Sequence, residues 1–237
     1  MNYPLTDIHQ HLVWGLDDGA QSREMMYSML REAHSQGIGT VVATTHAEPG
    51  FRPFDRGLYR ERLEEARRFS DSENLGISIL PGAEIAWTYQ TPLALRQGNV
   101  PTIGETDCVL LELWRNISWQ AAKDAVNQLT RAGYCPVLAH PERYLAFALS
   151  PKETVRFRNE TGALLQINAD AVLTPRNFVE RRFVRYLLNE HSVDAVATDA
   201  HNCDSRPVNL RAARDWLADN TDSTYAEALT TFDGVLT

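Results

Sequence analysis

Thr40-Val41-Val42-Ala43-Thr44-Thr45-His46 is a run of β-branched and small residues that ends on an imidazole. A segment with so little polar alternation reads as a strand buried on both faces, as strands of a parallel sheet are. The pattern recurs. Asp7-Ile8-His9-Gln10-His11, Leu138-Ala139-His140-Pro141-Glu142-Arg143 and Thr198-Asp199-Ala200-His201 each set metal-competent side chains beside an apolar stretch, and the four clusters hold five of the seven histidines. His34 and His191 fall within or at the end of predicted helices and carry no assigned role.

Outward from this run, strand and helix alternate. Strands are predicted at Leu5 to His11, Thr40 to Thr45, Gly76 to Leu80 (closing on Pro81-Gly82-Ala83-Glu84), Cys108 to Leu113, Val137 to Ala139, Leu164 to Asn168 and Ala195 to Thr198. Helices are predicted at Ser22 to Ser35, Arg56 to Ser70, Ser118 to Ala132, Pro151 to Glu160, Asn177 to Glu190 and, last, Leu210 to Ala218. No linker, low-complexity tract or repeat interrupts them, so residues 1–237 read as one α/β domain. A doubly wound open sheet and a parallel barrel both fit this alternation. The candidate ligands follow strands one to five and seven, and only a barrel brings all those strand ends to one mouth.

The length of 237 residues suits one such domain. No apolar run is long enough to span a bilayer, and Met1-Asn2-Tyr3-Pro4 begins no signal-peptide pattern, so a cytoplasmic protein without membrane insertion is expected. Cys108, Cys135 and Cys203 form no CxxC pair, which fits a reducing compartment. A net charge of -8 argues against nucleic acid as a partner. It does not exclude an anionic substrate, because divalent ions would invert the field of the pocket.

His9 and His11, one residue apart in an extended segment, share a face and can grip one ion, and Asp199 and His201 repeat the spacing. Glu84 follows a strand and a Pro-Gly pair. Glu112 lies inside Val109-Leu110-Leu111-Glu112-Leu113, where burial demands a cation, either a metal or a basic side chain. Asp17-Asp18-Gly19 reads as a turn before a helix capped by Ser22, with Asp18 also a candidate ligand. The candidate metal set is therefore His9, His11, Asp18, His46, Glu84, Glu112, His140, Asp199 and His201. Nitrogen and oxygen donors without thiolate leave Mn, Fe, Co, Zn or Mg, and this many donors suit two or three ions. Such ions can hold a hydroxide at neutral pH for attack on phosphorus. Arg143 and Arg206 lie close in sequence to His140 and His201, and Arg52 lies six after His46. Guanidinium groups there suit phosphate oxygens, while a surface or ion-pairing role stays open for each.

With these residues in place the chain resembles the polymerase and histidinol phosphatase (PHP) superfamily. More narrowly, it is similar to the bacterial manganese-dependent protein-tyrosine phosphatases of capsule and exopolysaccharide biosynthesis. The resemblance rests on Asp7-Ile8-His9-Gln10-His11, Asp17-Asp18-Gly19, Thr45-His46, Gly82-Ala83-Glu84-Ile85, Leu111-Glu112, His140-Pro141-Glu142-Arg143-Tyr144 and Asp199-Ala200-His201-Asn202 with Arg206-Pro207. It implies a distorted parallel (β/α)7 barrel and a site with Mn2+. One ion would be held by His9, His11, Glu84 and Asp199, a second by Glu84, Glu112 and His140, a third by Asp18, His46 and His201. It also implies in-line hydrolysis of phosphotyrosine by a metal-bound hydroxide, with Arg143 and Arg206 on the phosphoryl oxygens. The partner implied is a tyrosine-phosphorylated protein, the tail of a bacterial tyrosine kinase; the alternative substrate is a small phosphate monoester such as histidinol phosphate, a sugar phosphate or a nucleotide. A cysteine-based route is not expected, since none of the cysteines has an arginine six positions on. The chain departs from the family pattern at Trp14, where a proline is common, at Ala47, where a second histidine is frequent, and at Thr231 to Thr237, which lacks the usual Asn-Pro segment.

Overall fold

In the computed structural model, which describes residues 4–232, the Thr40–Thr45 run lies inside β2 (Ile38–Ala47). With β1 (Leu5–Gln10), β3 (Ser78–Ala86), β4 (Cys108–Glu112), β5 (Cys135–Ala139), β6 (Leu164–Asn168) and β7 (Ala195–Ala197) it forms a seven-stranded sheet in chain order. Every neighbouring pair is parallel. The first and last strands also meet. Gln10 bridges Ala200, the Asp199 N–H donates to the His9 carbonyl at 2.7 Å, and the His11 N–H donates to the Ala200 carbonyl at 2.9 Å. The sheet is thus a nearly closed barrel, as the ligand positions predicted, and not an open doubly wound sheet.

A side chain completes this seam. Asp7, fully buried, accepts from the Thr198 N–H at 3.0 Å, the Thr198 hydroxyl at 2.5 Å and the His9 N–H at 3.3 Å. β7 is only three residues long, so the carboxylate supplies acceptors that a longer backbone ladder would have supplied. Burial pushes its carboxyl up to about 6, against the pull of the Thr198 donors.

The inward positions change character along the strands. At the lower end Ile8, Val42, Leu110, Val137, Ala195 and Ala197 pack together. Two residues further along, the same period-2 columns turn polar, from Val42 and Thr44 to His46, from Leu110 to Glu112, and from Leu164 to Gln166 and Asn168. In β1 a register shift between Asp7 and Gln10 lets Ile8 join the apolar layer below His9. The outward positions, among them Val41, Val109, Leu138 and Val196, pack on the surrounding helices. These include α1 (Arg23–Ser35), α2 (Arg56–Ser72), α4 (Trp119–Arg131), α6 (Pro151–Thr161), α8 (Phe178–Asn189) and α9 (Leu210–Asn220). Each fully buried Leu or Val contributes about 1.5–3 kcal/mol, so this double layer supplies the stability on which the polar mouth rests.

Several elements differ from the sequence expectation. β3 does not close at Pro81-Gly82 but runs through them to Ala86. β4 joins β3 only from Glu84, so Pro81 sits where that edge has no ladder to interrupt. Gly82 is required by packing, since a Cβ there would lie 2.5 Å from Val42 Cγ1. Its N–H donates to the buried Tyr59 hydroxyl at 2.9 Å, which itself donates to the Ala43 carbonyl at 2.8 Å. The short helices α3 (Thr91–Arg96), α5 (Leu145–Leu149) and α7 (Ala169–Leu173) were not predicted, being too short for a helical period to register. Leu210 to Ala218 is not the last helix either. α10 (Ser223–Thr231) follows, capped by Asp222, whose carboxylate accepts from the Thr224 and Tyr225 N–H groups. The expectations for Met1 to Tyr3 and for Asp233 to Thr237 concern residues outside those described.

Replacing Tyr59 with Phe strips the buried Gly82 N–H and Ala43 carbonyl of their partner. The expected loss is about 1–3 kcal/mol of unfolding free energy, measured by urea denaturation, with helical content unchanged in the native baseline.

Candidate metal centre

The strand ends bring all of the predicted ligands to one mouth, and they do so from within the last turns of the strands as much as after them. His9, His46, Glu84 and Glu112 belong to the ordered strands, and His140, Asp199 and His201 to the residues beyond. His140 and Asp199 both hold positive φ, 36° and 54°. That backbone is uncommon for residues other than glycine and is tolerated best by Asn, Asp and His.

Glu84 is the hub. Its Oε2 lies 3.3 Å from His9 Nε2, 3.1 Å from His11 Nε2 and 3.1 Å from His46 Nδ1, while Oε1 lies 2.6 Å from His140 Nε2. Asp199 Oδ1 lies 3.3 Å from His9 Nε2 and 3.4 Å from His11 Nε2. Asp18, exposed at the rim, places Oδ1 3.3 Å from His46 Nε2 and 3.4 Å from His201 Nε2. Three groups result, each with ligand atoms within 4.8 Å of one another: His9, His11, Glu84 and Asp199; His11, Asp18, His46 and His201; and His46, Glu84 and Glu112. The last differs from the implied set of Glu84, Glu112 and His140. Here His46 completes the group, and His140 is tied to it through Glu84.

The far sides of the rings are already held. His9 Nδ1 meets Gln166 Oε1 at 2.9 Å, His11 Nδ1 meets Asp17 Oδ2 at 2.8 Å, and His201 Nδ1 donates to the Asp199 carbonyl at 2.9 Å. With Nδ1 serving as donor, each Nε2 turns a lone pair inward, where His9 Nε2 and His11 Nε2 stand 3.2 Å apart. Asp199 Oδ1 and His201 Nε2 are buried without a hydrogen-bond partner. Acceptors facing acceptors in a buried space need protons or cations between them, so the donor set fits divalent metal.

The titration behaviour says the same. Burial opposes charge on His9 and His11, but Glu84 and Asp199 raise His9, and Asp17, Asp199 and Glu84 raise His11 well above the ordinary imidazole value. Burial and then the negative charge of Glu84 push the Glu112 carboxyl up to about 7. Burial works against ionisation of Asp17, yet the His11 imidazole and the His46 and Gly19 N–H groups hold it down at about 2.

Two of the three predicted arginines converge. Arg143 Nη2 and Arg206 Nη2 lie 2.7 and 2.6 Å from Asp199 Oδ2, which also accepts from Asn168 Nδ2 at 2.7 Å. Each is about a third exposed, at 34% and 32%, leaving further N–H groups for an anion at the mouth. Arg52 stands apart, exposed, in a recess of about 450 Å³ that Asp18 and His46 also line. The sequence reading passed over Asp7, Asp17, Gln166 and Asn168. The alternation of polar residues in Leu164-Leu165-Gln166-Ile167-Asn168, a strand without a metal-ligand candidate, was the available signal for the last two. Trp14, at the position of the common proline, lies 3.6 Å beneath the Arg62 guanidinium and donates to Glu65 at 3.1 Å, which pins the ligand loop to α2.

A family model described as capsular polysaccharide synthesis, CpsB/CapC, matches residues 5–234. The tyrosine-protein phosphatase CpsB of Streptococcus pneumoniae is 31% identical over 230 residues, covering 95% of this chain and 94% of that protein. The tyrosine-protein phosphatase YwqE of Bacillus subtilis (strain 168) is 28% identical over 209 residues, 88% of this chain and 82% of that one. A solved structure from a study of YwqE of B. subtilis and CpsB of S. pneumoniae, described as unique metal-dependent tyrosine phosphatases, superposes with a TM-score of 0.85 at 27% identity. It covers 95% of this chain and 94% of the other.

Metal loading should release protons. Below about pH 7 the metal-free Glu112 carboxyl keeps its proton, and the neighbouring carboxylates make His9 and His11 hold a proton more tightly than ordinary imidazoles, so an incoming ion must displace protons. Apparent affinity for a divalent ion is therefore expected to rise as pH increases from 6 towards 8. Calorimetry in buffers of different ionisation enthalpy should report protons released per ion, fewer for Glu112→Gln.

Proposed function

We propose that this chain, which belongs to the CpsB/CapC family of capsular polysaccharide synthesis proteins, is a metal-dependent protein-tyrosine phosphatase, the whole chain acting as one catalytic domain. The observation that carries the reading is the two-sided carboxylate of Asp199. One oxygen faces His9 and His11, and the other holds Arg143 and Arg206. It joins a cation-binding cluster to an anion-binding pair, which is what a phosphate ester needs. We assign the ligands to His9, His11, Asp18, His46, Glu84, Glu112, His140, Asp199 and His201, and the ions to Mn2+, which suits mixed imidazole and carboxylate donors. When bound, such ions supply Lewis-acid charge for the phosphoryl oxygens and lower the pKa of coordinated water.

The residues of the chain do the rest. Arg143 and Arg206, fixed by Asp199 Oδ2, direct their free N–H groups towards the phosphoryl oxygens as negative charge shifts onto them. Asp17 and Gln166 keep His11 and His9 in one orientation, so no reorganisation is needed during the reaction. A phenol leaves with a pKa of about 10, so phosphotyrosine depends less on a protonating group than an alkyl phosphate does. Arg52, in the recess lined by Asp18 and His46, contacts the substrate beyond the phosphate. A protein substrate such as the tail of a bacterial tyrosine kinase fits a role in capsule or exopolysaccharide synthesis. No helix among the described residues is long and apolar enough to cross a membrane. The free cysteines support a cytoplasmic setting.

The deciding experiment compares turnover of the Mn2+-loaded chain on phosphotyrosine peptides and on histidinol phosphate, sugar phosphates and nucleotides. A preference for phosphotyrosine is expected; exclusive activity on a small ester would transfer the assignment to that ester. Arg143→Ala or Arg206→Ala should lower kcat/KM by roughly 10²- to 10³-fold at unchanged metal content. Replacing Cys108, Cys135 and Cys203 together with Ser should leave turnover nearly intact, and a folded, metal-loaded but inactive triple variant would sink the metal-dependent assignment.

A further inference from the structure

Among the described residues, the large apolar side chains left exposed are Phe51 after β2, Tyr89 and Leu93 after β3, Trp114 after β4, Leu145 and Leu149 after β5, and Phe178 after β6. All of them lie on connections that leave the C-terminal ends of strands, the face that carries the metal centre. None lies on the opposite face of the barrel. An apolar rim confined to the mouth marks a surface that meets a macromolecule, because a small ester would be served by the arginines and ligands alone.

The rim has a definite seat. A cleft of about 610 Å³ begins at Glu112, His140 and Arg143 and extends outward to Arg115, Leu145 and Leu149. The Leu145 N–H donates to the Arg115 carbonyl at 2.9 Å, which joins the backbone of the two segments, and Arg115 lines the same cleft as Leu145 and Leu149. Charge in the cleft is mostly spoken for. Arg176 pairs with Glu180 at 2.7 Å, Glu142 accepts from the Asn168 N–H at 3.1 Å through Oε1 while its buried Oε2 has no partner among the described residues, and Glu112 faces Glu84 and His46. Arg115, exposed, has no ion-pair partner among the described residues. It is the cleft's uncommitted positive charge, beside two exposed leucines.

We propose that this cleft seats the polypeptide flanking the phosphotyrosine, and that it selects segments with an acidic residue for Arg115 and an apolar residue for Leu145 and Leu149. The proposal rests on the phosphatase assignment and adds to it the kind of sequence the enzyme prefers. The cleft is continuous with the metal centre, so these contacts fall on residues flanking the phosphotyrosine. A segment reaching in from the metal centre, with an acidic group for the uncommitted Arg115, is the occupant that both observations call for.

The test uses the full Mn2+-loaded chain and three substrates: free O-phosphotyrosine, a phosphotyrosine peptide with Glu and Leu beside the phosphotyrosine, and the same peptide with Lys and Gly there. The unaltered chain should favour the Glu/Leu peptide by roughly tenfold in kcat/KM, expressed in KM. Arg115→Glu should reverse that preference towards the Lys peptide, and Leu149→Ala should weaken it, both at unchanged turnover of free phosphotyrosine. Equal turnover of the two peptides, or an equal loss on free phosphotyrosine in Arg115→Glu, would overturn the cleft assignment while leaving the phosphatase intact. A chain that hydrolyses neither free phosphotyrosine nor peptide, yet cleaves histidinol phosphate, would overturn the phosphatase reading and the cleft assignment with it.

Discussion

Too many electron pairs point at one another in the mouth of this barrel for it to hold without positive charge. Glu84 and Asp199 are buried, and around them His9, His11, His46, His140 and His201 turn ring nitrogens inward. In a medium of low polarity, neighbouring acceptors repel unless a proton or a cation lies between them. The remaining features of the site follow from this constraint. Gln166, Asp17 and the Asp199 carbonyl hold the outer ring nitrogens, so the inner lone pairs cannot swing away, and Arg143 and Arg206 neutralise the oxygen of Asp199 that faces away from His9 and His11.

The barrel exists to make that crowding possible. A strand column that starts apolar at Val42 or Leu110 and ends in His46 or Glu112 spends its lower half on packing and its upper half on charge. The apolar layer contributes the stability that the polar layer costs. Close approach of the strands matters equally. Gly82 admits the Val42 side chain and Gly19 lies against the His11 carbonyl, where a Cβ would come within 2.3 Å. Both glycines stand next to ligand segments, so the spacing of the donors depends on positions that bear no functional group at all.

Much of this was legible in the sequence because the signals were local. A β-branched run followed by an imidazole names its strand and its end, and the spacing of His9 and His11 tells which face they share. Which residues gather at the mouth could be read one cluster at a time. What escaped reading depends on contacts distant in sequence. The strand passing through Pro81-Gly82 needs the knowledge that β4 starts pairing only at Glu84. The role of Asp7 needs Thr198 beside it, and the grouping of Glu112 with His46 needs the stagger of β2, β3 and β4. The short helices of the mouth carry one or two turns, below the length at which periodicity speaks. The net charge of -8 likewise gave no hint of the arginine pair, because it averages over a surface and the pair occupies one oxygen.

The β1–β7 seam joins residues at the two ends of the chain, with Asp7 bonded to Thr198 across 191 positions. During synthesis His9 and His11 leave the ribosome early, while Asp199 and His201 follow only after almost all of the barrel has been made. No fragment that ends before Asp199 can assemble the first group, and the entropy of closing so long a loop must be met before its donors can come together. The candidate centre thus draws on the whole molecule, since its first group takes donors from both ends of the chain. A chain that stops short of Asp199 lacks the first group, and only a chain whose ends have met brings its donors together.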